Sequence, residues 1–410
     1  MKWILSCMIF MLAIFSGCTG CEEVANGKPQ TGDGGTIQLR SELQKRVSQD
    51  NAFSLDLLKK TITETNKTNV FISPLSVSMC LGMVWNGAAG TTRTEMEKAL
   101  QMEGMTVDEI NQYYQILIDS LPQADSKTKL SLANSIWYKK NFSVKQSFLD
   151  VNKNYFKAEI QPLDFASPSA VTTINNWCDS KTNHLISSII DEIPENAVMY
   201  LINALYFKGI WTIQFDPKET RLANFTTEAG TAVPVNMMNK AMKVLYRYDP
   251  YAQYVDLPYG NGTFSMTLIL PNQGKTTSQV LDYLTPSQLN TVLAHLDSAF
   301  VEIGLPRFKE ECKFELNDEL IAMGMPQAFT DQADFSNISD WEILISKVLH
   351  KTYIEVTEEG TKAAAVTSTE IVATSIPPQV TVNKPFLFLI REKGTGVILF
   401  AGKMGAVSKY

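Results

Sequence analysis

Few side chains in this chain could act as nucleophiles, general bases or metal ligands. It has three histidines, His184, His295 and His350, and six cysteines. A catalytic serine or cysteine needs a histidine beside it, and a zinc site needs several closely placed ligands. The strings GxSxG and HExxH are absent, and we find no glycine loop that could cradle a phosphate. The sequence therefore predicts that the chain is not an enzyme and holds neither a metal ion nor a cofactor.

The cysteines beyond the N-terminal region are odd in number and widely spaced. They are Cys80, Cys178 and Cys312, and they include no CxxC pair. Such a set does not form a disulfide framework. Cys80 lies in an apolar run, and Cys178 follows Trp177 in a segment with a helical pattern. We expect both to be small apolar residues of the core.

The segment whose composition stands out is TKAAAVTSTEIVATS, residues 361–375, which contains no glycine, proline or aromatic residue. It lies between two predicted strands. Upstream, residues 352–356 alternate with period two and are followed by Gly360; downstream, apolar runs resume at Phe386. A connection of this length without secondary structure is uncommon and usually functional. Taken alone, the segment fits a tether or a short helix over residues 363–366.

The same segment also has the pattern of a strand. Every second residue is small or suited to β-structure, whereas Lys362, Ser368 and Glu370 lie between them and suit solvent. Such a segment is able to slide into a packed sheet with one face buried. The small face consists of Thr361, Ala363, Ala365, Thr367, Thr369 and Ile371.

The residues around this segment closely resemble the hinge, reactive-centre loop and C-terminal strands of the serpins, a family of protease inhibitors. In order and spacing, the resemblance covers essentially everything from about residue 40 to the end. It implies the serpin fold, which is α+β with three β-sheets, about eight or nine helices and an exposed reactive-centre loop near the C-terminus. The matching stretches are NVFISPLSVSMCLGMVWNGAAGTT (69–92), LANSIWY (132–138), LINALYFKGIWTIQFDPKET (201–220), LPRFK (305–309), ADFSNIS (333–339), ISKVLHKTYIEV (345–356), EVTEEGTKAAA (355–365), SIPPQVTVNKPFLFLI (375–390) and GVILFAGKM (396–404).

Length, composition and charge agree with this resemblance. Length alone would suggest two domains, but serpins form one large domain, so we assign residues 39–410 to a single serpin domain and expect a monomer. The chain is 45% apolar and 19% charged, as in ordinary soluble globular proteins. Its net charge of -7 argues against a nucleic-acid partner, because binding phosphates needs a surplus of Lys and Arg. No basic cluster indicates activation by a polyanion.

The N-terminus has the pattern of an export signal. Lys2 is followed by an apolar run over residues 3–15, which is too short to span a bilayer, and then by Ser16, Gly17 and Cys18. A small pair before cysteine resembles a bacterial lipoprotein processing site. We therefore predict a signal peptide over residues 1–17, a lipid on Cys18, and anchoring to the membrane of the bacterial cell envelope or surface.

Two details of this region leave alternatives open. Phe15 stands where the usual lipoprotein pattern has Leu or another aliphatic residue, so ordinary cleavage and free secretion stay open. Cys21 is a weaker rival as the lipid acceptor. Residues 18–38 are rich in Gly, Thr and acidic residues and poor in large apolar ones, which predicts a flexible linker.

The resemblance implies a mechanism in which a protease is trapped. The protease takes the loop as a substrate and forms an acyl-enzyme through its own nucleophile. The cleaved loop then inserts as a new strand in the main sheet and carries the attached protease to the far end before water releases it. At about 3.3 Å per residue, residues 360–374 would form a strand of about 46 Å. The native form must then be metastable, with strand insertion as the stored free energy.

The position of the reactive bond follows from counting residues along the loop, once from Gly360 in the hinge and once from the SIPP string that begins at Ser375. Both place it between Thr374 and Ser375, with Val372 and Ala373 as alternates. These small residues offer no cationic anchor, so elastase-like serine proteases are the expected targets and papain-like cysteine proteases come second. Glu370 leaves a glutamate-specific protease open, although cleavage there would shorten the inserted arm by four residues.

The resemblance also assigns residues that control insertion. In the hinge, small side chains let the sheet accept the loop. In the shutter, a buried polar cluster holds the central strands together, and His350 is expected to hydrogen-bond Asn203. In the breach, where the loop first enters, Arg307 is expected to pair with Glu358, for at most about 1 kcal/mol if the pair is solvent-exposed. The assigned residues are Glu358, Gly360, Thr361, Ala363, Ala364 and Ala365 in the hinge, Ser73, Ser76, Asn203 and His350 in the shutter, and Trp211 and Arg307 in the breach.

A serpin-fold protein without inhibitory activity, acting as a binding or carrier module, is the alternative. Hinges of such members commonly carry bulky, charged or proline substitutions. This hinge departs little from the inhibitory pattern, because Lys362 lies on the outward face and Val366 is the only larger residue before Ser368. The hinge therefore favours protease inhibition.

Overall fold

Helices and strands alternate irregularly in this computed structural model, which describes residues 37–360 and 377–408. Four helices begin at a Ser or Thr whose side chain accepts a backbone N–H of the first turn, namely Ser73, Thr106, Thr276 and Thr285. The helices of the described part are α1 (Ser41–Thr65), α2 (Pro74–Trp85), α3 (Gly90–Ala99), α4 (Val107–Ser120), α5 (Gln146–Tyr155), α6 (Ala170–Lys181), α7 (Thr277–Tyr283), α8 (Pro286–Ala294) and α9 (Asn317–Ala322).

The strands are rich in β-branched and aromatic residues, and three of them are buried along their whole length. Each of the three contains an apolar run, such as FLFLI in β13, which is typical of strands with both faces covered. The strands are β1 (Asn69–Ile72), β2 (Lys129–Lys139), β3 (Glu159–Leu163), β4 (Met199–Lys208), β5 (Arg221–Thr226), β6 (Ala232–Tyr248), β7 (Ala252–Tyr259), β8 (Phe264–Pro271), β9 (Asp297–Pro306), β10 (Phe308–Glu315), β11 (Leu349–Val356), β12 (Gln379–Thr381), β13 (Phe386–Glu392) and β14 (Ile398–Met404).

These strands form three sheets within the described residues. The largest has nine strands in the order β1-β14-β13-β8-β7-β6-β9-β12, with β5 paired to β6. The second has the order β3-β2-β4, and the third is the antiparallel pair of β10 and β11. The predicted α+β fold with three sheets and about eight or nine helices is confirmed, and so are the strands predicted on both sides of residues 361–375.

Helix α2 is the central helix of the core. All of its residues except Cys80 are buried, because its sequence, PLSVSMCLGMVW, is apolar or small on every side. Pro74 at its first position and the capping hydroxyl of Ser73 define where it begins. It packs against β4 and β14, so it lies beneath strands of two different sheets.

Helix α6 covers the sheet that contains β2 and β4. Its Ile174, Trp177 and Cys178 are buried in a second, smaller apolar cluster with Trp137 of β2. Residues 182–198 then lead from α6 to β4 without regular secondary structure. They are held to the helix by Asn175, whose side chain accepts the N–H groups of residues 189 and 190 and donates to the Ile190 carbonyl.

The three cysteines in the described ranges are free thiols, as the sequence predicts. Cys178 and Cys312 are buried, and Cys80 is partly buried. Burial raises the pKa of the Cys80 and Cys178 thiols to about 12, so both stay protonated and unreactive at neutral pH.

The part of the chain that the structure describes contains neither a membrane-spanning helix nor a cluster of metal ligands. There, no helix has both the length and the apolar character needed to cross a bilayer. No group of three or more His, Cys, Asp or Glu residues in those ranges is placed to hold a metal ion. Ile37, at the end of the predicted linker, is buried against the core.

Candidate functional site

A cavity of about 800 Å³ separates β4 from β11. Its two sides are strand edges that include Asn203 on β4 and His350 on β11, and its floor is α2 with Ser76 and Cys80. Among the described strands, β4 pairs only with β2 and β11 only with β10. We call this cavity the slot. It is a gap between two sheets, and among the described residues both strands that border it have an edge without a partner strand.

The two strands that border the slot run in the same direction. Their first residues, Met199 and Leu349, both line it. At the other end the chains meet, because Ile210, just after β4, forms an antiparallel bridge with Gly360, just after β11. The slot is therefore closed at the end from which residues 361–376 depart, and a strand that folded back from there would be antiparallel to both sides.

The four residues assigned to the shutter lie together at the middle of the slot. The Ser73 N–H donates to His350 Nε2 over 2.9 Å, and the Ser73 hydroxyl donates to the Leu399 carbonyl. The Ser76 hydroxyl donates to Asn203 Oδ1. These bonds tie the start of α2 to β4, β11 and β14 at once, so the helix holds both sides of the slot.

The predicted hydrogen bond between His350 and Asn203 is wrong for this structure. His350 instead accepts from Ser73, while the Asn203 amide donates to Asn134 Oδ1 on β2 over 2.8 Å. The physical reason is the slot, which separates β4 from β11 and leaves α2 as the bridge between them. Asn134 was not predicted, although an Asn inside the strand LANSIWY was a visible signal.

His350 is a buried base whose pKa is shifted by burial. Burial lowers its pKa to about 4 from 6.5, so the imidazole is neutral at pH 7 and can accept the Ser73 N–H. In the unfolded chain His350 protonates near pH 6.5, whereas in the native state it protonates only near pH 4. The unfolded state therefore binds more protons between these values, and native stability must fall as the pH falls through this range.

We expect acidification from pH 7 to pH 4.5 to weaken the native state through His350. A pKa shift from 6.5 to about 4 corresponds to at most about 3 kcal/mol. Urea unfolding at several pH values measures this, with the His350→Gln variant as the comparison. The variant should be less stable at pH 7 but lose less stability on acidification. Identical losses in both proteins would show that His350 does not carry the pH dependence.

The breach contains an ion pair that is more buried than a surface pair. Arg307 donates to Glu358 Oε1 through Nε over 2.7 Å and through Nη2, and the Glu358 side chain is only 5% exposed. The Thr220 hydroxyl donates to the same oxygen. Burial raises the pKa of Glu358, but the hydrogen bonds from Arg307 and Thr220 outweigh it and the pKa lies below its ordinary value. Thr220 was not predicted as part of this group.

Removing Arg307 should destabilise the native protein. In Arg307→Met the buried carboxylate of Glu358 loses its cationic partner but keeps the hydrogen bond from Thr220. We therefore expect a loss of about 2 to 3 kcal/mol, somewhat below the usual cost of breaking a buried pair. Thermal unfolding of the intact protein measures it. Arg307→Met combined with Glu358→Gln should be more stable than Arg307→Met alone, because no unpaired charge stays buried. A double variant that is no more stable would contradict this account of the pair.

Gly360 and Trp211 join the two sides of the slot at its closed end. Gly360 has φ of +107°, and a Cβ there would lie 2.5 Å from the Trp211 nitrogen, so only glycine fits. The Trp211 N–H donates to the Glu359 carbonyl, and its indole N–H donates to the Thr357 carbonyl. The indole is stacked on Tyr259 at a centroid distance of 4.4 Å. The chain therefore leaves β11 from a fixed, hydrogen-bonded turn.

Residues 182–198 contact both sides of the slot. Their Ile186 and Ile189 line it, and Asp191 reaches across to Lys313 on β10, with the oxygen 2.6 Å from the nitrogen. The N–H of Lys139 on β2 donates to the Val198 carbonyl at the other side. This arrangement was not predicted, because it depends on contacts between segments that are far apart in the sequence.

The remaining predicted residues lie outside the described ranges. They are Cys18, Thr361, Ala363, Ala364, Ala365, Val372, Ala373, Thr374 and Ser375. Of the assigned residues that the structure describes, those of the shutter lie together at mid-slot, and those of the breach lie with Glu358 and Gly360 at the closed end. Their roles in loop insertion stay predictions.

Comparison with known proteins identifies the family. Residues 48–406 match the family model described as Serpin (serine protease inhibitor). The chain belongs to the serpin family. Serpin B11 of Homo sapiens is 34% identical over 382 residues, which cover 86% of this chain and 97% of that protein. Iripin-5 of Ixodes ricinus is 32% identical over 379 residues, which cover 90% of this chain and 96% of the relative.

Solved serpin structures have the same fold. The native state of tengpin, a thermophilic serpin, has a TM-score of 0.82 at 35% identity and covers 92% of this chain and 97% of its own. Human thyroxine-binding globulin, in complex with its ligand, has a TM-score of 0.81 at 28% identity; the match covers 90% of this serpin and all of that chain. Serpin relatives are protease inhibitors rather than enzymes, but the second structure is that of a thyroxine-binding protein.

Proposed function

We propose that this serpin is a suicide-substrate inhibitor that traps serine endopeptidases of elastase-like specificity. The slot carries this proposal. It has two strands running in one direction, a polar cluster at its centre, and a closed end at the residue from which the loop departs. A strand inserted between β4 and β11 would complete two backbone ladders and join two separate sheets into one.

The loop sequence has the chemistry that such a reaction needs. The protease nucleophile attacks the carbonyl of Thr374 and expels the amine of Ser375, which leaves an ester between protease and serpin. Small side chains at Val372, Ala373 and Thr374 suit a narrow specificity pocket and lack the cation that trypsin-like enzymes require. Papain-like cysteine proteases are the second class, since they form the corresponding thioester.

Loop insertion would then compete with water for the ester. The hinge has small residues at Thr361, Ala363 and Ala365, and these impose little steric cost when the strand enters beside Trp211 and Gly360. The inserted strand gains hydrogen bonds and buries one face, so the inserted form is the more stable one. The native form is accordingly metastable, and the released free energy drives distortion of the attached protease.

Export and anchoring are part of the same proposal. Lys2 and the apolar run that follows support export, and Cys18 supports a lipid anchor in a bacterial envelope. An anchored inhibitor would protect the cell or its neighbours from proteases. Mass spectrometry of the mature N-terminus tests this: a lipid-free terminus would remove the anchor.

A carrier function is the second candidate, and the match to thyroxine-binding globulin favours it. The fold alone does not separate the two candidates. Titrating a known amount of pancreatic-type elastase with the protein distinguishes an inhibitor from a carrier. We expect elastase activity to fall to zero near one equivalent, with a complex that survives denaturing gels. Turnover of the protein without loss of activity, repeated with a papain-like protease, would favour the carrier.

A further inference from the structure

Two large apolar side chains are exposed at the open end of the slot. Trp341 is 59% exposed. Among the ring contacts of the described residues it makes one, a T-shaped contact with Phe142 at a centroid distance of 5.6 Å. Leu344 is 45% exposed, and both residues line the slot. They belong to the extended segment that leads into β11. We call these two residues the Trp341–Leu344 patch.

The bridges at the closed end define where an inserted loop would reach. Gly360 forms antiparallel bridges with Thr357 on one side and with Ile210 on the other. In antiparallel pairing, each step along the loop is matched by one step back along its neighbour. Thr374 is fourteen residues after Gly360, so it would lie beside Ile343, fourteen before Thr357.

The same count on the other side leads to a consistent position. Fourteen residues before Ile210 is Asn196, and both Asn196 and Ile343 line the slot. Both counts start from Gly360, and together they place Thr374 between residues at one end of the slot. Trp341 and Leu344 are within two residues of Ile343. An ester on Thr374 would therefore hold its protease directly against the Trp341–Leu344 patch.

We propose that the Trp341–Leu344 patch is the surface on which the translocated protease is held in the acyl complex. This inference rests on the proposed function. It adds a second surface of the serpin that contacts the protease, besides the reactive-centre loop. Charged groups surround the patch, including the Asp340–Lys145 pair at 2.7 Å and the Lys347–Glu315 pair. An apolar centre with a charged rim is the usual composition of a protein interface.

The contact would act on the slow step that ends inhibition. In that step water attacks the Thr374 carbonyl, the ester bond breaks, the serine oxygen of the protease regains a proton, and Thr374 becomes a carboxylate. Apolar contact with the patch holds the protease in its displaced and distorted position. The patch therefore slows deacylation and has no part in the first encounter, which occurs at the loop.

The test measures the lifetime of the complex between the protein and pancreatic-type elastase. Complexes are isolated, and the return of elastase activity is followed over time for wild type, Trp341→Ser, Leu344→Ser and the double variant. We expect the double variant to release active elastase about tenfold faster, equivalent to about 1.4 kcal/mol of lost contact. The association rate should equal that of wild type, because the first encounter occurs at the loop. If Trp341→Ser lowers the unfolding temperature, Leu344→Ser alone decides.

A matched control separates this inference from general effects of removing apolar surface. Leu222 on β5 is 64% exposed. It lies two residues after Thr220, which contacts Glu358 of the breach at the opposite end of the slot. Leu222→Ser should leave the complex lifetime unchanged. Equal lifetimes for wild type and the double variant would overturn the inference while leaving the proposed inhibition intact. Absence of any complex with wild type would overturn both.

Discussion

Replacing Thr361 by arginine is expected to convert this serpin from an inhibitor into a substrate. Thr361 is the first residue after Gly360, and in the proposed mechanism its side chain enters the sheet beside Trp211. Burying an arginine without a partner costs several kcal/mol, so insertion should slow greatly while deacylation continues at its own rate. We expect the number of serpin molecules consumed per inhibited elastase to rise at least about tenfold, since each factor of ten needs only about 1.4 kcal/mol.

The control for this variant is Ser368→Arg. Ser368 lies on the face of the loop that is expected to stay in solvent, so the same side chain there should be tolerated. Titration of elastase with each variant, followed by denaturing gels, measures both the stoichiometry and the complex. An undiminished stable complex with Thr361→Arg would refute the hinge assignment. Equal losses in both variants would show that any arginine in the loop disturbs the protease.

Replacing Thr374 by arginine should change the target class. Trypsin-like proteases bind a cationic side chain before the cleaved bond through a buried carboxylate, and wild type has Thr374 at that position. A charge pair buried in such a pocket is worth about 3 to 5 kcal/mol, so we expect the rate of trypsin inhibition to rise by about a thousandfold. Inhibition of elastase should fall at the same time. Second-order rate constants with both enzymes check this expectation.

Glu370→Arg provides the matched control for this specificity change. It adds the same cation to the loop, but cleavage after residue 370 would shorten the inserted arm by four residues. Trypsin should then cut the protein and release a peptide that begins at Ile371, with little or no complex. Trapping of trypsin by Glu370→Arg as efficiently as by Thr374→Arg would contradict the requirement for a full-length arm.

The sequence predicts well the strands and turns that depend on neighbouring residues alone. The alternation in TYIEV predicts β11, and the run FLFLI predicts β13, because periodicity and burial follow directly from side-chain type. Gly360 was assigned from its motif alone, and its positive φ with a backbone contact at 2.5 Å explains why no other residue fits.

The features that the sequence does not predict depend on how distant segments meet. The bond between His350 and Asn203 was inferred from motif position, but β4 and β11 are separated by the slot and Ser73 of α2 takes the place of Asn203. Similarly, the hydrogen bond from Thr220 to Glu358 joins residues that are far apart in the sequence. Residue type and spacing carry no information about the distance between two strands that come from separate parts of the chain.

Intact-mass analysis of the protein after reaction with pancreatic-type elastase tests the trapping mechanism most directly. The account predicts two products: a covalent complex of elastase with the protein up to Thr374, and a released peptide that begins at Ser375 and ends at Tyr410. Complete cleavage at this bond with free, active elastase and no covalent complex, repeated across serine and cysteine proteases, would contradict it.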